Sequence, residues 1–509
     1  MRVLLVAFLL ASPLLAGCVQ SPASIASTTP LDPHVARLAC FEGVCNQRTT
    51  VAPKEQGNEV TIAVNPKDPN VIVAAAKDYQ PDYAGDCVWI GVYVTKDGGR
   101  SWVDTHVPGS PHLLQSRPEE FQYVDPISQF WCTTDPVLTF GPDGTCYLVI
   151  MAYQADPVTS SKAGAGVLPQ GGLNDWAFNR AAQVVGISKD NCQSFDSFSV
   201  VADGTNPVNF HDKAWIAVGA DGVIHMAWLD FSDAGVMNTY YRSADHGKSW
   251  QGPKILGYSY PTPVDPTGAD AAAGQGTMLV TTHGGKDVFV SWGGEDGGAQ
   301  GIMLAHSGDA GASWDKAKLA LKTEDKGMNA SYRSGGMPFL ANDANGTLYL
   351  AWQDTRFGDR DVLFARSADD GKSWSEPTRV NDDPKGDGHD QFFPALSVGP
   401  DGVIDLSWYD RRDDAEHKAL DLYYSFSADG GASWSQNLRV TSVSSDPTKS
   451  HHQNGNVFIG DYIDSDSAPG AAHPVWVDTR NGVADVYSAT ILRGPLGASA
   501  LPVGATVGP

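Results

Sequence analysis

Three short stretches place an arginine two residues after an acid: Asp354-Thr-Arg356, Asp410-Arg-Arg412 and Asp478-Thr-Arg480. A guanidinium grips a carboxylate through two parallel N–H···O bonds, so such arginines can hold an anionic sugar. The same Asp/Arg pairs can equally fasten neighbouring structural units. Other residues break the repetition. Tyr332-Arg333, His389-Asp390-Gln391, His451-His452-Gln453 and His211-Asp212-Lys213 each stand ahead of or at the start of an apolar run. Glu295 lies one position past the place where sister units carry an acid, and Tyr409 directly precedes Asp410. Cleaving a glycosidic bond needs a proton donor, a nucleophile or its base, and groups that hold substrate charge. On that chemistry Asp354, Asp410, Glu295 and Tyr409 are the candidate catalytic groups. Arg333, Arg356, Arg412, Arg480, His389 and His452 are the candidate substrate-binding groups. Two acidic runs, Asp382-Asp383-Pro-Lys-Gly-Asp387 and Asp461-Tyr-Ile-Asp464-Ser-Asp466, offer the hard oxygen donors that calcium takes, although neither has EF-hand spacing. No cofactor is required by this chemistry, and no metal site is assigned.

The elements that must position these residues are repetitive. Thr95-Lys-Asp97-Gly-Gly99-Arg-Ser101-Trp102 recurs around Asp245 to Trp250, Asp309 to Trp314, Asp369 to Trp374 and Asp429 to Trp434, with a degenerate copy from Ser188 to Phe195. The aspartate can accept backbone N–H bonds inside its own turn, glycine supplies positive φ, and the tryptophan anchors the turn on a sheet. Each copy closes a longer unit, clearest from Met337 to Val380. One strand leads into a tight turn, a second ends at Asp354, a third enters the box, and a fourth follows Trp374. The turns Gly141-Pro-Asp-Gly144, Gly219-Ala-Asp-Gly222 and Gly399-Pro-Asp-Gly402 repeat that first reversal. Only the second unit carries a long insertion, near Asp156 to Arg180.

These octapeptides resemble the Asp boxes of sialidases, sortilin-type domains and other β-propellers. The resemblance implies an all-β propeller of four-stranded antiparallel blades, with the boxes on the face opposite the active one. Asn456 to Ile491 repeats three strands without a box or a fourth strand, and Arg48-Thr-Thr-Val51 resembles the fourth-strand endings Thr378-Arg-Val380 and Leu438-Arg-Val440. Pairing the N-terminal strand with the last three would remove two exposed edges, giving seven blades, with six as the alternative. Sialidases hold the substrate carboxylate with three arginines, attack with a tyrosine activated by a glutamate, and use an aspartate as acid/base. Their Arg-Ile-Pro tripeptide does not occur in this sequence.

The blade map pairs the six cysteines past residue 18. Cys146 with Cys192 falls near the box face and Cys87 with Cys132 near the opposite face, leaving Cys40 with Cys45 as a local loop. Val3 to Leu15 reads as the apolar core of a secretory signal, and Leu15-Ala16-Gly17-Cys18 resembles a prokaryotic lipobox. The expected organisation is a signal at 1–17, a lipidated Cys18 and tether over 18–38, a propeller over 39–493 and a tail over 494–509.

Against 35 Lys and Arg stand 59 Asp and Glu, a formal charge of −24, which excludes a phosphate-tracking nucleic-acid surface. No P-loop and no GxSxG elbow is present. The expectation is an exported, lipid-anchored, sialidase-like glycoside hydrolase acting on acidic sugars of extracellular glycans, touching the membrane only through its anchor. The alternative is a non-catalytic propeller that binds a glycan or a surface protein. The sequence does not specify an oligomeric state.

Overall fold

The structure is a computed structural model that describes residues 35–41, 43, 45–50, 56–79, 88–155, 178–204, 210–232, 235–260, 276–453, 456–494 and 506–507. The expected signal, Cys18, most of the tether and most of the long insertion lie outside the described residues.

Seven four-stranded antiparallel blades form a ring. Blades one to six occupy 57–106, 132–204, 210–260, 277–322, 339–379 and 391–439, each pairing its strands in sequence order. Blade seven takes Asp464–Ala468, Ala471–Asp478 and Asp485–Ser488 from the C-terminal part of the chain. Its fourth strand is Gln47–Arg48, with Gln47 opposite Ser488 and Arg48 opposite Tyr487. The expected closure by the N-terminal strand is therefore present, and Arg48 seals it by bonding the buried Asp485 at 2.6 Å. The pairing continues beyond the expected boundaries of the propeller. Ala36–Cys40 pairs with Thr490–Arg493 on one side and Thr506–Val507 on the other. The Cys40–Cys45 disulfide closes the loop between Ala36–Cys40 and Gln47–Arg48.

The first strand of each blade packs against the first strand of the next, and that of blade seven returns to blade one. These strands therefore line the central axis. Second and third strands are sandwiched between blades and read as continuous buried runs, as in Ile72–Asp78 and Tyr409's strand Ile404–Asp410. Cys146 and Cys192 are joined as expected. Cys132 is also disulfide-bonded, while its expected partner Cys87 lies outside the described residues.

The boxes act as staples. Asp369 Oδ1 accepts from Ser373 N at 2.9 Å and Oδ2 from Ser373 Oγ at 2.6 Å, while Ser367 Oγ donates to Oδ1 and accepts from Gly371 N. The Ser373 bonds hold the Asp369 carboxyl down to about 2. Gly371 has φ 71°, and in the degenerate copy Cys192 sits in the left-handed region at φ 58° with the same bond, its N–H meeting Ser188 Oγ at 2.8 Å. Among the described residues no helix is long and apolar enough to cross a membrane.

Candidate active site

Second strands end on the face opposite the boxes, and there a ring of acids is built into the blades. The tryptophan two residues before each acid donates its indole N–H to it: Trp228 to Asp230 at 2.7 Å, Trp352 to Asp354 at 3.0 Å, Trp408 to Asp410 at 2.9 Å and Trp476 to Asp478 at 3.1 Å. In blades five, six and seven the following arginine folds back. Arg356 Nη2 lies 2.7 Å from Asp354, Arg412 Nη2 2.8 Å from Asp410 and Arg480 Nη2 2.6 Å from Asp478. Each guanidinium then reaches the chain just before its own blade: Lys322 O for Arg356, Asp382 for Arg412 and Ser442 for Arg480. The three arginines do not converge on one point. Each joins two blades.

The other expected residues are also dispersed. Tyr409 is fully buried, with its hydroxyl donating to Val477 O at 2.7 Å and accepting from Val477 N at 3.0 Å. Glu295 is exposed at the end of Asp287–Asp296. His389 lies 3.1 Å from Asp387 and packs on the ring of His417. His452 is exposed. Arg333 alone of the expected set meets the cluster at the central channel.

That cluster is made by one backbone device used repeatedly. In blades one, two, three and six the first strand carries a bulge, between Asn58 and Thr61, Thr134 and Val137, Asp212 and Trp215, and Phe392 and Ala395. The bulged residues Glu59, Asp135, Lys213 and Phe393 all lie in the left-handed region, at φ 52°, 51°, 50° and 50°. Such a conformation costs a non-glycine residue about 1–3 kcal/mol and concentrates at functional sites. Blade seven contributes Asp461 after Gly460, where φ is 90° and an added Cβ would stand 2.8 Å from Glu59 N. Glycine is therefore what allows blades seven and one to approach here.

The side chains interlock. Arg333 clamps Asp461 with Nε at 2.6 Å from Oδ1 and Nη2 at 2.7 Å from Oδ2, and Lys213 bonds the same carboxylate. Lys77 lies 3.4 Å from Glu59, and Thr134 Oγ1 lies 2.7 Å from Asp135 and 3.3 Å from Glu59. Arg333 lies over the ring of Phe458, and Tyr79 stacks on His451 with ring centroids 3.9 Å apart. Glu59, Asp135, Lys213 and Asp461 are buried, whereas 43% of the Arg333 side chain is exposed.

Residues 273–488 match the BNR repeat-containing family, and similar boxes recur in the three blades that precede them, at Asp97, Asp190 and Asp245. The chain is a seven-bladed β-propeller whose C-terminal four blades match that family. It is similar to the alpha-L-arabinanase of Penicillium chrysogenum, with 15% identity over 72% of this chain and 93% of that one and a TM-score of 0.43. Similarity to a Hadza microbial sialidase is 13% identity over 82% and 76% with a TM-score of 0.42. For an ulvan lyase, a polysaccharide lyase, the figures are 12% identity, 91% and 98%, and 0.46. No curated protein matches the sequence.

Within the propeller's mouth the carboxyls divide into two kinds. Burial, reinforced by the Asp135 charge, pushes the Glu59 carboxyl up to about 8, and burial with the same neighbour takes Asp212 up to about 7. Burial acts on Asp135 too, but the Lys213 ammonium and hydrogen bonds from Asp212 and Glu59 outweigh it and hold Asp135 well below the usual range. Asp461 is likewise held down against burial by Arg333 and Lys213. The single hydroxyl proton of Thr134 cannot serve both neighbouring carboxylates. A protonated Glu59 and an ionised Asp135 satisfy all three groups.

Among the described residues no group of three or more His, Cys, Asp or Glu is arranged to hold a metal ion. Of the two acidic runs, Asp382 and Asp383 engage Arg412, while Asp464 and Asp466 accept backbone N–H bonds from Ile62 and Val64 of blade one.

Glu59, Lys77 and Asp135 were not among the residues expected from sequence. A signal for two of them exists. Glu59, Asp135, Lys213 and Phe393 each stand three residues before a large apolar residue, at Ile62, Leu138, Ile216 and Leu396. In the first three a charge interrupts an otherwise buried strand.

Proposed function

We propose that this propeller is a glycan-processing hydrolase that acts at the mouth of its central channel on the end of an acidic glycan. The supporting observation is geometric: Glu59 and Asp135, two buried carboxyls on adjacent blades, sit in matching left-handed bulges on either side of the Thr134 hydroxyl and beside three cations, where burial raises the one and Lys213 lowers the other. Glu59, carrying its proton at neutral pH, protonates the departing glycosidic oxygen. Asp135, ionised, takes the proton from the attacking water or supports the nucleophile. Arg333 offers an exposed guanidinium edge to a sugar carboxylate, while Lys213 keeps Asp461 neutralised. Exo-hydrolysis of an acidic sugar, as in sialidases, is the form of this chemistry that the resemblance favours.

The protein is read as extracytoplasmic and lipid-anchored through Cys18. Its disulfides suit an oxidising compartment, and the Ser/Pro-rich stretch after Cys18 would hold the propeller off the membrane. The test is turnover of a panel of sialosides, uronides and neutral arabinosides by the purified ectodomain and by Glu59→Gln. Release of an acidic sugar, abolished in that variant, supports the reading. Turnover unaffected by Glu59→Gln overturns it.

One observation favours a second reading. Arg356, Arg412 and Arg480 are all engaged between blades, and Arg333 is already paired with Asp461, as expected of a propeller that binds without catalysis. Glycan binding without turnover of any substrate in the panel would select it.

A further inference from the structure

Blade six holds its arginine in a defined cradle. The guanidinium of Arg412 lies among Asp410, Asp382 at the end of the preceding blade, Asn437 just ahead of its own fourth strand, and the ring face of Tyr423, 4.3 Å away. Blade seven repeats the cradle around Arg480 with Asp478, Ser442, Asn46 and the ring of Tyr487 at 4.4 Å. Strand register places the corresponding stations in blade three. Tyr423 stands opposite Trp408 and Tyr487 opposite Trp476, and Thr239 stands opposite Trp228. Asp230 takes the place of Asp410, Asp203 lies at the end of the preceding blade, and Pro253 lies two residues before Ile255, the partner of Thr239.

What blade three lacks is the arginine. Asp230 is followed by Phe231-Ser232 where blade six has Arg411-Arg412, and the smaller Thr239 replaces a tyrosine. A recess of about 230 Å³ is left, lined by Asp203, Asp230, Thr239 and Pro253 and also by His211. Asp230 accepts from Trp228, from Thr239 at 2.7 Å and from His211 Nδ1 at 2.5 Å, but, among the described residues, from no arginine or lysine. Of the four acids that follow a tryptophan in this ring, it is the one without a guanidinium. His211 is 4% exposed, and its Nε2 is buried with no partner among the described residues. In a neutral imidazole giving Nδ1–H to Asp230, Nε2 carries a lone pair with no donor to meet it. Asp203 at the rim already holds Arg180, so the open positions are the buried Asp230 carboxylate and this ring nitrogen, a pair complementary to an N–H-rich cation.

The geometry points to a guanidinium-binding site in blade three, in which a group carried by a ligand takes the place that Arg412 and Arg480 fill in their own blades. Its aliphatic stem would run along Met237 and Ile255, which also line the recess. The site lies on the strand that carries Asp212 and Lys213, but it faces the gap between blades two and three and is independent of the chemistry proposed for the mouth.

Calorimetric titration of the ectodomain with N-acetyl-arginine amide, its neutral citrulline isostere and the peptide Gly-Arg-Gly tests this. The arginine amide binds saturably and the citrulline compound at least about tenfold more weakly, since only the former supplies charge-assisted donors. No saturable binding of the arginine amide, or equal affinity for the isostere, overturns the proposal. Ser232→Arg combined with Thr239→Tyr restores the sister-blade arrangement and lowers affinity at least about tenfold by filling the recess. Should that pair fail to fold, His211→Gln, which installs the side chain blade six carries at Gln391, weakens binding severalfold. Unchanged affinity in a folded variant refutes the site. Tighter binding of the peptide than of the amide assigns the guanidinium to a polypeptide's arginine, and equal binding to a free small ligand.

Discussion

Glu59 and Asp135 occupy the same left-handed bulge position in the first strands of adjacent blades, and the hydroxyl of Thr134 lies within 3.3 Å of both carboxyls. Repetition of the fold thus brings two acids together at the axis, and burial with Lys213 beside one of them drives their proton affinities apart. A proton shared unequally between neighbouring acids is the physical basis of general acid/base work.

Stability should carry the signature of Glu59. Its folded carboxyl titrates at about 8 against an ordinary 4.5, so between those values the native state binds more protons than the unfolded chain. Stability therefore falls as pH rises through that window. In Glu59→Gln this contribution disappears, and the slope of unfolding free energy against pH, from urea titrations at pH 5 and pH 8, becomes less negative. Asp212→Asn flattens the same slope up to about pH 7.

Arg412 and Arg333 should separate structure from binding. Arg412→Ala leaves the buried Asp410 without its cation and costs about 3 kcal/mol in chemical denaturation. Arg333→Ala leaves Asp461 with Lys213 and costs only about 1 kcal/mol, while weakening binding of an acidic sugar. The reverse order of stability losses would reassign the two arginines.

Closure of the ring rests on the N-terminal strand. Arg48→Ala strips the cation from the buried Asp485 and lowers stability by about 3 kcal/mol. Hydrogen exchange should then speed up at Val486 and Ser488, whose strand borders Gln47–Arg48, more than in the corresponding strand of blade four.

The indole bonds to the acid ring can be tested singly. Trp408→Phe removes the 2.9 Å donor to Asp410 with little change of shape and costs about 1–2 kcal/mol. The same change at Trp292 costs less, because Gly294 stands where the acid would be and the Trp292 Nε1 has no partner.

Much of the fold was legible because its signals are local and repeated. The box aspartate, its serine and the following tryptophan write one hairpin five times, with Phe195 ending a sixth copy, and the strand that closes the ring was marked by its likeness to Thr378-Arg-Val380. Two disulfides followed from the same blade map. The candidate site was less legible. Asp354-Thr-Arg356 and its relatives drew notice because they repeat, yet repetition in a ring is what struts between blades produce. Glu59 and Asp135 went unnoticed because a bulge is a backbone event. It turns a residue from the blade interface into the channel, and the position shares no one residue type, holding Glu59, Asp135, Lys213 and Phe393, so the interrupting charge is legible only once the strands are aligned. The recess in blade three is harder still to see, since it is defined by the residue that Ser232 replaces.

The most direct measurement is a carbon-13 NMR titration of the side-chain carboxyls in glutamate-labelled ectodomain, with the Glu59 resonance assigned by its loss in Glu59→Gln. The account predicts a midpoint near 8 for that carboxyl, moving toward the ordinary value when Asp135 is replaced by Asn. A midpoint near 4.5 in the intact protein would mean that Glu59 is ionised at neutral pH and cannot be the proton donor.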